Sequence, residues 1–150
     1  MSTMMRKCAS IGAISLASAM GILAGCSQMS RMMGGDSQHV TLSGGNEVPA
    51  VSTSASGSGT VTVNRDRSVS ARITVTGMTA TAAHIHTGAP GANGPVAVPF
   101  TKSGDNTFVA PEGAKMTEEQ YASYKAGNTY VNVHSAKNPG GEVRGQLKGR

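Results

Sequence analysis

Three histidines occur at positions where β-structure would bring their side chains together. His84 and His86 are separated by one residue, and His134 ends the sequence Tyr-Val-Asn-Val-His. Residues i and i+2 of a strand project from the same face, so both imidazoles of the first pair point one way and Ile85 points to the core. If the two segments pair as neighbouring strands, three imidazoles meet. Three nitrogen ligands without sulfur suit Cu(II) or Zn(II).

The same histidines have a second interpretation, in which they hold loops in place. The glycine-rich segment 88–94 follows His86 directly, and imidazoles on a strand face can donate hydrogen bonds to loop carbonyls. The pattern alone leaves the metal and the structural interpretations open. His39 is the remaining histidine, and it could supply a further ligand.

The carboxylates and the arginine in the glycine-rich segments predict an ion pair. Glu142 and Arg144 flank Val143 after Pro-Gly-Gly, and Glu47 follows Gly-Gly-Asn. An unpaired charge in a tight environment is costly, so we expect Arg144 to pair with Glu47 or Glu142. No Ser/His/Asp order, paired-carboxylate spacing or nucleotide-binding glycine motif is present. No catalytic residue is therefore predicted from these motifs.

The N-terminus indicates export and lipidation. Arg6 and Lys7 precede residues 9–24, an apolar and small-residue stretch that ends in Leu-Ala-Gly-Cys26. This stretch is shorter than the roughly 20 residues that a membrane span needs, and it fits a bacterial signal peptide over residues 1–25. The ending resembles a lipobox, which implies that Cys26 is acylated and becomes the first mature residue. Ser27 in place of Asp then implies delivery to the outer membrane.

Export changes the count of thiols and charges. Cys8 leaves with the signal peptide and Cys26 carries lipid, so neither a disulfide nor a cysteine metal ligand is expected. Without Arg6 and Lys7, 11 Lys and Arg face 8 Asp and Glu, and the bases are scattered. With five aromatic residues in all, the chain lacks the basic and stacking surface that nucleic-acid binding needs.

Period-two alternation dominates the sequence after a short polar tether over residues 26–38. We predict a single domain over 39–150, with a hairpin turn at 64–67 and strands at about 40–42, 61–63, 69–75, 82–86, 96–101, 107–110, 129–134 and 142–147. Thr117-Glu-Glu-Gln120 is a capping box, which predicts one short helix over about 117–126. This content indicates an all-β fold, an antiparallel Greek-key immunoglobulin-like β-sandwich with one helical insert.

Several blocks together resemble the CHRD domain, a family common in bacterial envelope proteins. The matching blocks are Leu42-Ser-Gly-Gly-Asn-Glu-Val-Pro49, Gly57-Ser-Gly-Thr-Val61, the segment 83–96 with its His-Ile-His, and the segment 130–147. The resemblance covers about residues 39–148. It implies an immunoglobulin-like β-sandwich, and it supplies no defined biochemical role.

A weaker similarity is to the copper/zinc superoxide dismutases. In that family an H-x-H strand and a later V-H supply copper ligands, and a glycine-rich segment places an arginine beside the metal. His84, His86, His134 and Arg144 occur here in that order. Residues 87–100 contain no His or Asp, so the zinc ligands of that family have no counterpart. The resemblance implies copper as the metal and Arg144 as a guiding cation.

The sequence therefore predicts a lipid-anchored protein of the cell envelope, attached to the membrane through Cys26 and facing the periplasm or the exterior. Its three histidines would bind a metal ion, copper being favoured, for sequestration or delivery. One alternative is a non-enzymatic adhesion or scaffold module that contacts an envelope protein and uses the histidines structurally. The other is a minimal copper superoxide dismutase, in which Arg144 would be the catalytic side chain.

Overall fold

The structure is a computed structural model that describes residues 34–149. The predicted signal peptide, Cys26 and most of the predicted tether lie outside these residues. Within the described part of the chain, no helix has the length and apolar character needed to cross a membrane.

Nine antiparallel strands and one short helix make up the described chain. The strands are β1 (Asp36–Ser43), β2 (Ser56–Val63), β3 (Val69–Thr76), β4 (Ala80–Thr87), β5 (Val96–Pro99), β6 (Thr101–Gly104), β7 (Thr107–Val109), β8 (Thr129–Ser135) and β9 (Val143–Leu147). Helix α1 spans Glu118–Lys125, and a 3-10 turn lies at Gly44–Asn46. The prediction of an antiparallel all-β fold with one short helix is confirmed.

The strands form one continuous sheet in the order β5-β4-β8-β9-β1-β2-β3-β7-β6. The two edge strands, β5 and β6, are consecutive in sequence, so the sheet curls back on itself into a nearly closed, barrel-like sandwich. Lys102 of β6 donates from Nζ to the carbonyl of Ala80 in β4, at 3.2 Å. This contact links the two ends of the sheet.

The predicted strand at 96–101 is two strands. The amide of Phe100 still donates to the carbonyl of Ala83 in β4, but Thr101 already pairs with Val109 of β7. The chain thus changes partner at Phe100. The alternation of apolar residues through Val96, Val98 and Phe100 continues across this change, so sequence periodicity does not reveal it.

The core lies between the facing parts of the curled sheet. Alternate strand residues are buried there, and the largest include Leu42, Val61, Ile73, Ile85, Phe108, Val131 and Leu147. The opposite faces of β4, β8 and β9 carry the histidines and their polar neighbours. Those neighbours are themselves covered by loops that cross this outer face.

Helix α1 begins and ends as its sequence predicts. Thr117 accepts from the amide of Gln120, and the Gln120 side chain accepts from the amide of Thr117, which completes the capping box. The helix packs Tyr124 against the start of β1, where Tyr124 Oη donates to Asp36 Oδ2 at 2.7 Å. Because β1 begins at Asp36, the last three residues of the predicted tether belong to the sheet.

Candidate metal centre

The pairing of β4 with β8 brings the three predicted histidines together. His84 lies opposite Asn132 and His86 opposite Tyr130, while His134 lies opposite Ala82. The ring of His84 is 4.9 Å from that of His134 and 5.4 Å from that of His86, measured between centroids. One nitrogen of each ring lies within 4.8 Å of one nitrogen of both others. The predicted convergence of His84, His86 and His134 is therefore present in the structure.

Backbone carbonyls set the tautomers of two of these rings. His86 Nδ1 lies 2.9 Å from the carbonyl oxygen of Gly94, and His134 Nδ1 lies 2.9 Å from that of Pro139. A carbonyl can only accept, so each Nδ1 carries the proton and each Nε2 holds a lone pair. The Nε2 of His86 is buried and has no hydrogen-bond partner in the described structure. Both rings thus act as loop anchors and still keep one nitrogen for a ligand.

The third ring completes a donor set. His84 Nδ1 is 3.0 Å from His134 Nε2. Since His134 Nε2 is the acceptor, the proton between them belongs to His84 Nδ1 in the neutral protein. With a metal ion at this point, the proton would move to His84 Nε2, so that the neutral imidazole could ligate through Nδ1. The ligand atoms would then be Nδ1 of His84 and Nε2 of both His86 and His134.

Burial keeps the rings of His84 and His86 in the neutral state that metal ligation requires. The pKa of His84 is lowered to about 4, mainly because burial disfavours the charged imidazolium and also because His134 and His86 lie close by. Burial also lowers the pKa of His86, against the raising effect of its bond to Gly94. Neutral imidazoles bind metal ions, whereas imidazolium does not.

Arg144 occupies the other side of this polar cluster. It is only 2% exposed, and its guanidinium carbon lies 3.4 Å from the centroid of the Tyr130 ring. Its donors go to Gln146 Oε1 on its own strand and to the loop that follows β4, where the acceptors are Asn93 Oδ1 and the carbonyls of Ala89 and Ala92. The guanidinium is committed to these acceptors rather than to a carboxylate.

The two carboxylates have partners different from those predicted. Glu142 accepts hydrogen bonds from the hydroxyls of Ser135 and Thr53, which together lower its pKa. Glu47 is 7% exposed and accepts from Asn132 Nδ2 at 2.8 and 3.0 Å. Within residues 34–149, the predicted direct pairing of Arg144 with Glu47 or Glu142 is not formed. The charge of Arg144 still acts on Glu47. Burial raises the pKa of Glu47 to about 7, even though the Arg144 charge and the hydrogen bond from Asn132 both lower it.

Comparison with known proteins gives the family of the chain. The model of the CHRD domain matches residues 39–147. The chain belongs to the CHRD-domain family. No curated protein and no solved structure matches it significantly. The family assignment inferred from the sequence blocks is thus confirmed.

His39 of the CHRD domain does not join the histidine cluster. It is exposed on β1, opposite Thr60 of β2, and β9 separates its strand from β8. Among residues 34–149, the histidines that group together are His84, His86 and His134. The prediction that His39 could supply a further ligand is not supported by this placement.

Two residues of the CHRD site were on the predicted face but were not recognised as part of it. Tyr130 stacks on His86, with centroids 5.0 Å apart and ring planes within 8°. Asn132 lies between His84 and Arg144 in the sheet register and holds Glu47. Their alternation with buried valines was a usable signal. The roles of Gly94 and Pro139 depend on backbone carbonyls, which side-chain patterns do not reveal.

Proposed function

We propose that this CHRD-domain protein is a lipid-anchored protein of the bacterial cell envelope that binds a copper ion through His84, His86 and His134, for sequestration or delivery. The observation that carries the proposal is the histidine cluster with two tautomers held by backbone carbonyls. Hydrogen bonds from the non-ligating ring nitrogen to a carbonyl orient imidazoles and raise their basicity in metal sites.

The chemistry of the donor set favours copper among the transition metals. The cluster offers three imidazole nitrogens, and the neighbouring carboxylates of Glu47 and Glu142 already have other partners. Nitrogen sites of this type bind Cu(II) more tightly than other divalent first-row ions, with Zn(II) as the main competitor. His84 and His134 are partly exposed, which would allow exchange with a carrier or with solvent.

The surroundings support a binding role better than superoxide chemistry. A guiding cation would have to face the metal and the solvent, whereas Arg144 is buried against Tyr130 with its donors on loop acceptors. Arg144 is therefore not available for that role in this arrangement. Sequestration or delivery requires only ligation and release.

The envelope location of the proposal depends on the N-terminal sequence. Residues 9–24 and Cys26 have the pattern of a lipoprotein signal. Expression with a radiolabelled fatty acid should label the wild-type chain and leave Cys26→Ser unlabelled. Equal labelling of both chains, or of neither, would contradict the anchoring part of the proposal without affecting the metal part.

Calorimetric titration of the purified full chain with Cu(II) at pH 7.5 tests the metal part. We expect one ion per chain, loss of binding in His84→Ala and His134→Ala, and unchanged binding in the matched control His39→Ala. Nitrogen hyperfine coupling in the Cu(II) electron paramagnetic resonance spectrum should show imidazole ligation. No uptake by the wild-type chain would contradict the proposal.

A second candidate is an adhesion or scaffold module whose histidines are purely structural. The bonds of His86 to Gly94 and of His134 to Pro139 favour it, because they hold two loops on one face. It predicts that His86→Ala lowers stability while added metal or chelator changes nothing. The titration above therefore separates the two candidates.

A further inference from the structure

We infer that Arg144 is a positioning residue for the histidine site: it holds the loop after β4 so that the Gly94 carbonyl keeps the His86 proton on Nδ1 and leaves the buried Nε2 as the ligand atom. That the histidine rings bind a metal ion rests on the proposed function. The control of the His86 tautomer by Arg144 is independent of the proposed function, and it can be measured without any metal.

The first link is a stack of three side chains across three strands. Tyr130 lies on β8, between β4 and β9 in the sheet. The His86 ring contacts it from the β4 side, and the Arg144 guanidinium from the β9 side at 3.4 Å. A guanidinium over an aromatic face is attracted by the ring quadrupole, and burial strengthens this attraction. The stack fixes Arg144 relative to His86 without direct contact between them.

The second link is the set of acceptors that Arg144 takes from the loop. Its Nη2 donates to the carbonyl of Ala92 at 2.8 Å and approaches that of Ala89 at 3.3 Å, while Nη1 donates to Asn93 Oδ1 at 3.1 Å. Asn93 also attaches the loop to the segment that follows the 3-10 turn, because its Nδ2 donates to the Val48 carbonyl at 2.7 Å. The planar fork of arginine suits such a set of acceptors, and lysine does not reproduce it.

The third link joins this loop to His86. The residue after Asn93 is Gly94, whose amide donates to Tyr130 Oη at 3.2 Å and whose carbonyl accepts from His86 Nδ1 at 2.9 Å. A Cβ at position 94 would collide with the Thr87 carbonyl, so only glycine allows the loop to approach β4 this closely. Gly94 is therefore held through its amide by Tyr130 and through its neighbour Asn93 by Arg144, and its carbonyl is positioned over His86.

Loss of the guanidinium should release this chain of contacts. Without it, the Ala89 and Ala92 carbonyls and the Asn93 side chain lose a shared buried donor, and Gly94 keeps only its bond to Tyr130 as a support over His86. The imidazole could then move its proton to Nε2, which would remove the lone pair from the site. Changes in the groups that hydrogen-bond to metal-ligating imidazoles cost about 10- to 100-fold in metal affinity.

The test compares Arg144→Gln with the matched control Arg72→Gln, an exposed arginine on β3. In the metal-free, nitrogen-15-labelled full chain, long-range proton–nitrogen spectra report which ring nitrogen of His86 is protonated. We expect Nδ1 protonation in the wild type and in Arg72→Gln, and a mixture or the Nε2 tautomer in Arg144→Gln. An unchanged His86 tautomer in a folded Arg144→Gln chain would overturn the inference.

Cu(II) titration supplies the metal-dependent arm. We expect Arg144→Gln to weaken Cu(II) binding about 10- to 100-fold and Arg72→Gln to leave it unchanged. A purely structural role would lower thermal stability and leave the Cu(II) affinity unchanged. A folded Arg144→Gln chain with the wild-type Cu(II) affinity would therefore overturn the inference.

Asn93→Ala is the second variant if Arg144→Gln does not fold. It removes one acceptor of the guanidinium and keeps the buried stack with Tyr130, so we expect a smaller shift of the His86 tautomer in the same direction. No shift would count against the inference. If the wild-type chain takes up no Cu(II) while the tautomer still depends on Arg144, the proposed function fails and the inference stands.

Discussion

Nδ1 of His84 lies 3.0 Å from Nε2 of His134, across the pairing of β4 with β8. Because the Pro139 carbonyl accepts from His134 Nδ1, the two rings share a single proton at this contact. The contact links the acid–base behaviour of the site to the stability of the fold. It also marks the position where an ion would replace a proton.

The first prediction concerns acid stability of the metal-free protein. In the unfolded chain His84 takes up a proton near its ordinary pKa of 6.5, whereas in the folded chain it does so only near 4. Between these values the unfolded state binds more protons, so the free energy of unfolding should fall as pH falls from 6.5 to 4. Because the ring is partly exposed, we expect a loss of about 1 kcal/mol.

Urea unfolding at pH 7 and pH 4.5, for the wild type and for His84→Gln, measures this contribution. Glutamine does not titrate, so the variant should lose less stability on acidification than the wild type does. The same difference between the two pH values in both chains would contradict the prediction.

The second prediction concerns Glu47 and has the opposite sign. Burial raises its pKa to about 7, against the lowering effects of Arg144 and of the bond from Asn132. Between 4.5 and 7 the folded state holds a proton that the unfolded state has lost, so this group makes the fold less stable as pH rises through that range. Glu47→Gln should therefore be more stable than the wild type at pH 8, by about 2 kcal/mol, and similar at pH 4.5.

Unfolding free energies of both chains at pH 4.5 and pH 8 test this prediction. The opposite result, a variant that loses more stability at pH 8 than at pH 4.5, would show that Arg144 stabilises the ionised carboxylate more than burial disfavours it. Because the His84 and Glu47 contributions oppose each other between pH 4.5 and 6.5, each variant must be compared with the wild type at the same pH.

The convergence of the three histidines could be predicted because it depends on strand periodicity. His84 and His86 share a face by their spacing, and His134 is placed on the same side by the buried Val131 and Val133. His39 likewise lies on the exposed face of its own strand, as alternation predicts. Its distance from the site depends on the strand order, which local alternation does not encode.

The partners of Arg144 could not be predicted, for a different physical reason. A side-chain pattern identifies carboxylates as candidate partners, but the carbonyls of Ala89 and Ala92 satisfy the guanidinium here. Any residue type offers a carbonyl, so only the path of the loop shows which ones are available. The expected ion pair was wrong because backbone acceptors took the place of the carboxylates.

The third prediction concerns Gly141, two residues after Pro139, whose carbonyl accepts from His134. Its φ is +135°, and a Cβ there would meet the Asn132 amide and lie 2.8 Å from Glu47 Oε1. Both backbone strain and the displaced Asn132–Glu47 contact should destabilise Gly141→Ala, by about 2–4 kcal/mol. Gly140→Ala is the matched control, because nothing lies within 4 Å of its Cβ position.

Thermal unfolding of the two glycine variants and the wild type checks this expectation. Gly140→Ala should unfold within a few degrees of the wild type, and Gly141→Ala well below it. If both variants unfold alike, the close packing of Asn132 and Glu47 around Gly141 does not limit stability.

The fourth prediction concerns the effect of metal on the whole fold. An ion that binds only the folded state at 100 times its Kd adds about 2.7 kcal/mol, which corresponds to a rise in Tm of about 10 °C for a domain of this size. Cu(II) should raise the Tm of the wild type and of His39→Ala by this amount, and a chelator should reverse the rise. His134→Ala should show no rise, because it lacks one of the three nitrogens. A lowered Tm for His134→Ala together with no response of the wild type to Cu(II) or chelator would instead establish His134 as the anchor of the Pro139 carbonyl alone.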